Sequence, residues 1–228
     1  RSAVVLTLCL PAPEGRTSPG TEDEYVFASF NDKGVFGEFL PKVQIELPPF
    51  VNKEHTSIRV HKFERILVLL YKGLPVKVYP IALGFDPRGD KVQQGDGKTP
   101  EGDYYICEML HENLAAKYGA RSMRISYPNI KDAKRGRKQG LISTSEYDVI
   151  AAAIKATKMP NQHTTLGSSI RIHGGGVDKD WTAGCVALRD RDVIELYQVV
   201  APGTPVTIEA KSEKNDRDHE GSPTRSTS

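Results

Sequence analysis

Three consecutive apolar stretches constrain the fold of this chain more strongly than any other feature. Residues 57–63 alternate apolar with polar side chains, and residues 65–72 contain a continuous apolar run. Alternation is typical of a strand with one buried face, whereas a short continuous run is typical of a strand buried on both faces. Gly73 separates this run from a third stretch, residues 74–81, so the second and third stretches predict a β-hairpin.

Two helices and several further strands are predicted in the same region. Ser143 and Glu146 form a capping box that begins a helix through about Lys158, which Pro160 ends. A second helix is predicted over residues 191–200. The predicted N-cap of the second helix is Asp190. The stripe predicted to face inward is Tyr147, Ile150 and Ile154 in the first helix and Ile194, Tyr197 and Val200 in the second. Further strands are predicted at residues 104–109, 123–127, 169–173 and 205–209.

Many short strands with two helices predict a β-rich α+β domain over residues 53–210. Residues 1–52 form an N-terminal segment whose apolar run, residues 3–10, fits either the end of a signal peptide or a buried strand. Within that segment, residues 13–24 are predicted to be a linker. Residues 211–228 lack an apolar anchor and are predicted to be a disordered tail.

The charge and cysteine content exclude several classes of protein. The 31 basic and 29 acidic residues give a net charge of +2, which does not favour nucleic-acid binding. The densest basic stretch, residues 131–138, is predicted to be a solvated loop. Three cysteines are too few for a disulfide framework, although a pair between Cys9 and Cys107 stays open. Cys185 is the cysteine in a distinctive local context.

The segment from residue 170 to residue 188, IRIHGGGVDKDWTAGCVAL, has the composition of a nucleophilic site. A strand ends at His173, a glycine-rich turn follows, and the chain returns to Cys185. A free thiol has a pKa near ~8.5, so a cysteine nucleophile needs a base such as imidazole. The N–H groups of Gly184 and Cys185 are candidates for an oxyanion hole.

These residue types also have more ordinary roles. A cysteine before Val-Ala-Leu is often a small buried hydrophobe, and a histidine at a strand end is often structural. Zinc is not expected, because Cys185, His173, His163 and Asp180 lack ligand spacing. A phosphate loop at Gly97-Lys98-Thr99 is not expected either, because Val92 stands where its first glycine is needed.

Several motifs in order resemble the L,D-transpeptidase family with the YkuD-type catalytic domain. They are His173-Gly174, Thr182-x-Gly184-Cys185, the segment IALGFDPRGDKVQQGDGKTPEGDYYI at residues 81–106, RISYPN at 124–129, DWTAGC at 180–185 and PGTPV at 202–206. The resemblance covers residues 53–210. It implies a sandwich of two mixed sheets with a few helices, and no cofactor.

The resemblance also implies a reaction and roles for particular residues. In this family a cysteine attacks the third residue of a peptidoglycan tetrapeptide stem, releases D-alanine, and passes the acyl group to a second stem in a 3→3 cross-link. By this likeness Cys185 is the nucleophile and His173 the base. Gly184 is assigned to the oxyanion hole, Gly174 and Thr182 to the pocket, and Arg124 and Asp180 to substrate contacts.

Two departures from the family leave the acceptor open, a loop between His173 and Cys185 that is short by the standard of better-known members and the residue two positions after the cysteine. Many members carry arginine two residues after the cysteine, where this chain has Ala187. Arg189, Arg171 and Arg124 are candidates for the missing positive charge. A hydrolase using water, acting as an L,D-carboxypeptidase, and a non-enzymatic wall-binding module are the alternatives.

The expected setting follows from the substrate. We expect an exported, extracytoplasmic monomer in the periplasm or cell envelope. Its partners are expected to be stem peptides, with a penem-type β-lactam as a covalent ligand of the cysteine.

Overall fold

The computed structural model describes residues 52–210 and two short strands nearer the N-terminus, β1 (Val4–Leu8) and β2 (Val26–Phe30). β1 and β2 pair antiparallel. Part of the N-terminal apolar run therefore lies in a strand, and its role in export stays a prediction. The predicted linker and the predicted C-terminal tail lie outside the described residues.

Eight strands form the main sheet. They are β3 (Thr56–His61), β4 (Ile66–Tyr71), β5 (Leu74–Pro80), β6 (Gly102–Leu110), β7 (Ser122–Ile125), β8 (Arg171–His173), β9 (Val186–Ala187) and β10 (Pro205–Glu209). Their spatial order is β5-β4-β3-β10-β6-β7-β8-β9. The pairs β3–β10 and β8–β9 are parallel and the others antiparallel, so the sheet is mixed.

The C-terminal strand β10 lies in the middle of this sheet. Val206 pairs with Ile58 of β3 on one side and with Tyr104 of β6 on the other. The β-rich α+β class is confirmed, but the predicted division into two packed sheets is not. Strands β3 to β10 join into one sheet because β10 hydrogen-bonds to both neighbours.

The predicted hairpin between β4 and β5 is confirmed. Its two turn residues, Lys72 and Gly73, have φ values of 51° and 79°. Two positive φ values in succession are typical of a two-residue type I′ turn, which matches the right-handed twist of the flanking strands. Glycine adopts this conformation without steric cost, which explains why the apolar pattern is interrupted at this position.

A helix forms where the sequence predicted a loop. The basic segment lies in α1 (Ile130–Lys138), whose capping box joins Asn129 and Asp132. The prediction was wrong because this helix buries only small apolar residues, so its sequence has no strong apolar stripe. Its buried inner face is Ala133 and Gly136, and Gly136 packs against Leu166.

The second helix, α2 (Thr144–Lys155), has the predicted capping box, in which Ser143 and Glu146 hydrogen-bond to each other's backbone N–H groups. It ends before the predicted Lys158, because Thr157 has a positive φ of 52°. The predicted stripe packs as expected, with Ile150 buried and Tyr147 and Ile154 against the same cluster. Within the described residues, no helix is long and apolar enough to cross a membrane.

The third helix, α3 (Asp190–Val199), differs from the prediction in two ways. Its N-cap is Arg189, without a side-chain hydrogen bond, because Asp190 lies inside the helix. Its buried stripe is Val193, Leu196 and Val199, whereas of the predicted stripe only Val200 is buried. The sequence VIELYQVV offers apolar residues in two helical phases, and packing selects the earlier one.

The main hydrophobic core lies between the sheet and α3. It includes Leu67, Ile106, Ile172 and Val186 from the strands and Leu196 from the helix. A smaller cluster lies between α1 and α2. The main core therefore holds the short strands β8 and β9 from their apolar side.

We expect Ile172→Ala to lower the free energy of unfolding by about 3 kcal/mol, because it leaves a cavity behind a short strand. Ile172 is fully buried, whereas Val149 is 53% exposed. The control Val149→Ala is expected to change the free energy by less than about 0.5 kcal/mol. Urea denaturation measures both, and equal effects of the two substitutions would contradict this account of the core.

Candidate active site

A row of polar side chains crosses four neighbouring strands on one face of the sheet. Glu108 of β6 pairs with Arg124 of β7, and Arg124 pairs with Arg171 of β8. The parallel register of β8 and β9 continues this row to Cys185, immediately before β9. Because cross-strand partners share a face, the row leads from a carboxylate through two guanidinium groups to the thiol.

His173 lies in the adjacent row on the same face. It pairs with Ser122 of β7 and with Ala187 of β9. Residues two apart in a strand point the same way, so His173 shares its face with Arg171, and Cys185 is its diagonal neighbour across the ladder. The structure therefore brings together the two residues predicted to be nucleophile and base.

The imidazole of His173 is buried and fixed in one tautomer. Its Nδ1 lies 2.6 Å from the carbonyl oxygen of Gly174. A carbonyl only accepts hydrogen bonds, so Nδ1 carries the proton and Nε2 is left with a lone pair. The rings of Tyr118 and Trp181 meet the imidazole edge-on, with centroids 5.1 Å and 5.6 Å away. These contacts fix the orientation of the ring.

Burial lowers the pKa of His173 to about 4, a shift that the hydrogen bond to Gly174 only partly opposes and that the nearby Arg171 reinforces. The imidazole is therefore neutral at pH 7 and able to accept a proton. This is the protonation state that a general base requires.

The thiol of Cys185 is also neutral at rest. It donates to the carbonyl oxygen of Ser169 across 3.6 Å. Burial raises the pKa of Cys185, and the backbone N–H and positive charge of Arg171, with Lys117, only partly offset this rise. The resting pair is thus a thiol and an imidazole rather than a thiolate and an imidazolium, so proton transfer must accompany attack on a substrate.

Thr182 shapes the loop that carries the thiol. Its hydroxyl donates to the carbonyl of Cys185 at 2.8 Å and accepts from the N–H of Gly184 at 3.1 Å. Gly184 has φ of 130°, and a Cβ there would lie 2.6 Å from the carbonyl oxygen of Lys98. The N–H of Gly184 is therefore already used within the loop. Among the described residues, none accepts from the N–H of Cys185.

Asp190 joins the two loops around His173, which the sequence did not predict. Its Oδ1 accepts from the N–H of Ala120 at 2.9 Å and from that of Gly175 at 3.2 Å. A Cβ on Gly174 would lie 2.1 Å from the same oxygen, so glycine is required there. The carboxylate of Asp190, predicted to be an N-cap, therefore binds N–H groups of two loops and not those of its own helix.

The remaining predicted residues have partners within the protein. Asp180 accepts from the guanidinium of Arg65 and from the N–H of Leu83 at 2.8 Å. Arg124 lies 3.3 Å from the carboxylate of Glu108. Their roles as substrate contacts stay predictions. Ala187 is fully buried and exchanges backbone hydrogen bonds with Ala82.

The sequence also gave no signal for Tyr118 and Lys117. Both belong to a short 3₁₀ turn, Ala116–Tyr118, that carries no recognisable motif. Within the described part of the chain, no group of three or more His, Cys, Asp or Glu side chains lies together as metal ligands would.

The comparison with protein families decides the class of this domain. The profile of the YkuD family, described as the L,D-transpeptidase catalytic domain, matches residues 55–208. The chain belongs to the YkuD family. The match includes both Cys185 and His173, and the resemblance expected from the motifs is confirmed.

Several solved structures are similar to this YkuD domain. A mutant of the helical cell shape determining protein Pgp2 from Campylobacter jejuni is 24% identical, with a TM-score of 0.50 over 72% of this chain and 50% of that chain. Bd1075 from Bdellovibrio bacteriovorus is 23% identical, with a TM-score of 0.46 over 69% of this chain and 48% of that chain. The L,D-transpeptidase LdtMt1, solved with imipenem, is 11% identical, with a TM-score of 0.40 over 68% and 59%.

The chain spans about half the length of the first two structures that it matches. A comparison with curated proteins gave no match.

The neutral thiol predicts how alkylation of Cys185 depends on pH. Because thiolate is the reactive form and burial raises the pKa of the thiol, labelling by iodoacetamide should rise about tenfold per pH unit between about pH 7 and 9. Mass spectrometry of the peptide that contains Cys185 measures the rate. A plateau between about pH 5 and 8, typical of a preformed thiolate–imidazolium pair, would contradict this prediction.

Arg171 is expected to assist formation of the thiolate. It is 4% exposed and is held by Ser122 at 3.1 Å and by the carboxylate of Glu108. Arg171→Gln should slow iodoacetamide labelling at pH 8 roughly tenfold, because a positive charge beside the thiol is lost. The control Arg189→Gln removes an exposed charge and should leave the rate unchanged. Equal rates in both variants would contradict the assignment.

Proposed function

We propose that this chain is a peptidoglycan L,D-transpeptidase that uses Cys185 as nucleophile and His173 as general base. The observation that carries the proposal is the placement of both residues on one face of β8 and β9, with the imidazole held so that Nε2 is the basic nitrogen. Membership of the YkuD family supports an acyl-transfer enzyme. The substrate is the tetrapeptide stem of peptidoglycan.

The first half-reaction forms a thioester. Nε2 of His173 takes the proton of the Cys185 thiol, and the sulfur bonds to the carbonyl carbon of the third stem residue. The carbonyl oxygen becomes an oxyanion, for which the free N–H of Cys185 is the available donor. The carbon–nitrogen bond then breaks, His173 gives its proton to the leaving amine, and D-alanine departs.

The second half-reaction transfers the acyl group. An amine of a second stem attacks the thioester, His173 takes a proton from that amine, and the carbon–sulfur bond breaks. The thiolate recovers its proton from the imidazolium, which restores the neutral pair. Water in place of the amine gives hydrolysis, so the acceptor alone separates a transpeptidase from an L,D-carboxypeptidase.

The substrate requires an extracytoplasmic location. Peptidoglycan lies outside the cytoplasmic membrane, so we propose that the protein is exported and acts in cell-wall biogenesis. The structural likeness to a protein described as determining helical cell shape supports only the shared fold. A role in cell shape is therefore proposed from the reaction, since cross-links set the mechanics of the wall.

Intact-protein mass spectrometry after exposure to a carbapenem tests the nucleophile. We expect one covalent adduct in the unaltered protein and in Cys107→Ala, because the Cys107 thiol is inactivated by burial, which raises its pKa to about 11. No adduct is expected in Cys185→Ala. An adduct that persists in Cys185→Ala would refute the assignment.

Incubation with purified disaccharide tetrapeptides tests the acceptor. Cross-linked dimers with release of D-alanine support the transpeptidase, whereas tripeptides alone indicate hydrolysis. Binding without any product would indicate a non-enzymatic wall-binding module, provided that an alkylating probe also labels Cys185 no faster than Cys107.

A further inference from the structure

Most cations around the active site are neutralised by carboxylates of the protein. Arg65 pairs with Asp180, Lys98 with Asp86, Arg189 with Asp192, and both Arg124 and Arg171 with Glu108. The arginines considered as replacements for the missing family arginine are therefore all committed within the protein. A substrate carboxylate would have to compete with these internal ion pairs.

Lys117 differs from these residues. It is exposed, and among the described residues no carboxylate pairs with its ammonium group. Its Nζ lies 5.1 Å from the centroid of the Tyr118 ring, and that ring meets the imidazole of His173 at 5.1 Å. The ammonium group of Lys117, which no carboxylate of the described residues neutralises, thus lies next to the ring of Tyr118 that contacts His173. It is accessible to solvent and to a ligand.

The leaving group of the proposed reaction carries a carboxylate that can reach Lys117. His173 must reach the nitrogen of the departing residue to protonate it, so that residue lies beside the imidazole during cleavage. In an α-amino acid, one carbon separates the nitrogen from the carboxylate. The carboxylate of a departing terminal residue therefore comes within the reach of a lysine side chain that packs over Tyr118.

We propose that Lys117 binds the C-terminal carboxylate of the residue that leaves, so that the site selects stems in which the scissile bond is the last peptide bond. This inference rests on the proposed function and adds to it the residue that would enforce its tetrapeptide substrate. A charge-assisted hydrogen bond to a carboxylate is about twice as strong as a neutral one, which suits it to this selection. Stems with a further residue, or with an amidated terminus, lack the anion at this place.

Two matched substrates test the proposal, a disaccharide tetrapeptide with a free C-terminal carboxylate and the same compound with a carboxamide. The unaltered protein should show a kcat/KM up to about fivefold higher for the acid, the ratio expected from one exposed ion pair. Lys117→Met should lose that preference through a higher KM for the acid, and any slowing through the pKa of the Cys185 thiol, which the charge of Lys117 lowers, should be equal for the two substrates. Lys117→Arg should keep it.

Arg121→Met is the matched control. Arg121 lies in the same loop as Lys117, and its substitution removes the same positive charge. Its guanidinium, however, packs over Tyr197 and donates to the carbonyl of Ala120. This variant should keep the preference for the acid, and thermal unfolding should show that all variants remain folded.

Equal kcat/KM for acid and amide in the unaltered protein would overturn the inference, as would a preference retained in Lys117→Met. A loss of equal size on both substrates, with no change in their ratio, would also overturn it, because Lys117 would then act only through the pKa of the thiol. Failure of the unaltered protein to release D-alanine or its amide from either compound would instead count against the proposed function.

Discussion

The parallel pairing of β8 with β9 is the interaction on which the site depends. These strands have only three and two residues, yet their register places the thiol and the imidazole on one face. A slip of one residue would turn one of them to the opposite face, because side chains alternate along a strand. Ile172 and Val186, buried in the core behind the site, oppose such a slip. Catalytic geometry therefore depends on apolar packing on the far side of the sheet.

The site combines a buried base with a partly buried nucleophile, and the consequences of burial differ for the two. Burial keeps His173 unprotonated, which favours proton acceptance, but it also disfavours the thiolate of Cys185. The row of charges from Glu108 to Arg171 provides a fixed positive charge beside the sulfur. Such an arrangement assists the thiolate when it forms and limits its reaction with other electrophiles at rest.

Local patterns of the sequence predicted the features that depend on neighbouring residues. The Gly73 hairpin, the Ser143 capping box and the proximity of His173 and Cys185 are of this kind. Features set by distant contacts were not predictable. Asp190 has the sequence pattern of an N-cap, but its carboxylate binds N–H groups some 15 and 70 residues away. Lys117 has no motif, because a folded loop gives it its position.

The central place of β10 has a consequence for how the domain folds. Apart from the isolated bridges that Ala82 and Gly84 make to Ala187 and Thr182, strands β3 to β5 and strands β6 to β9 are joined only where β10 pairs with both β3 and β6. The pairing of β3 with β10 joins residues at opposite ends of the domain, and contacts so distant in sequence slow folding. During synthesis the sheet therefore cannot be completed until β10 has been made. For the export proposed above, this order means that the sheet stays incomplete until the whole domain has been synthesised.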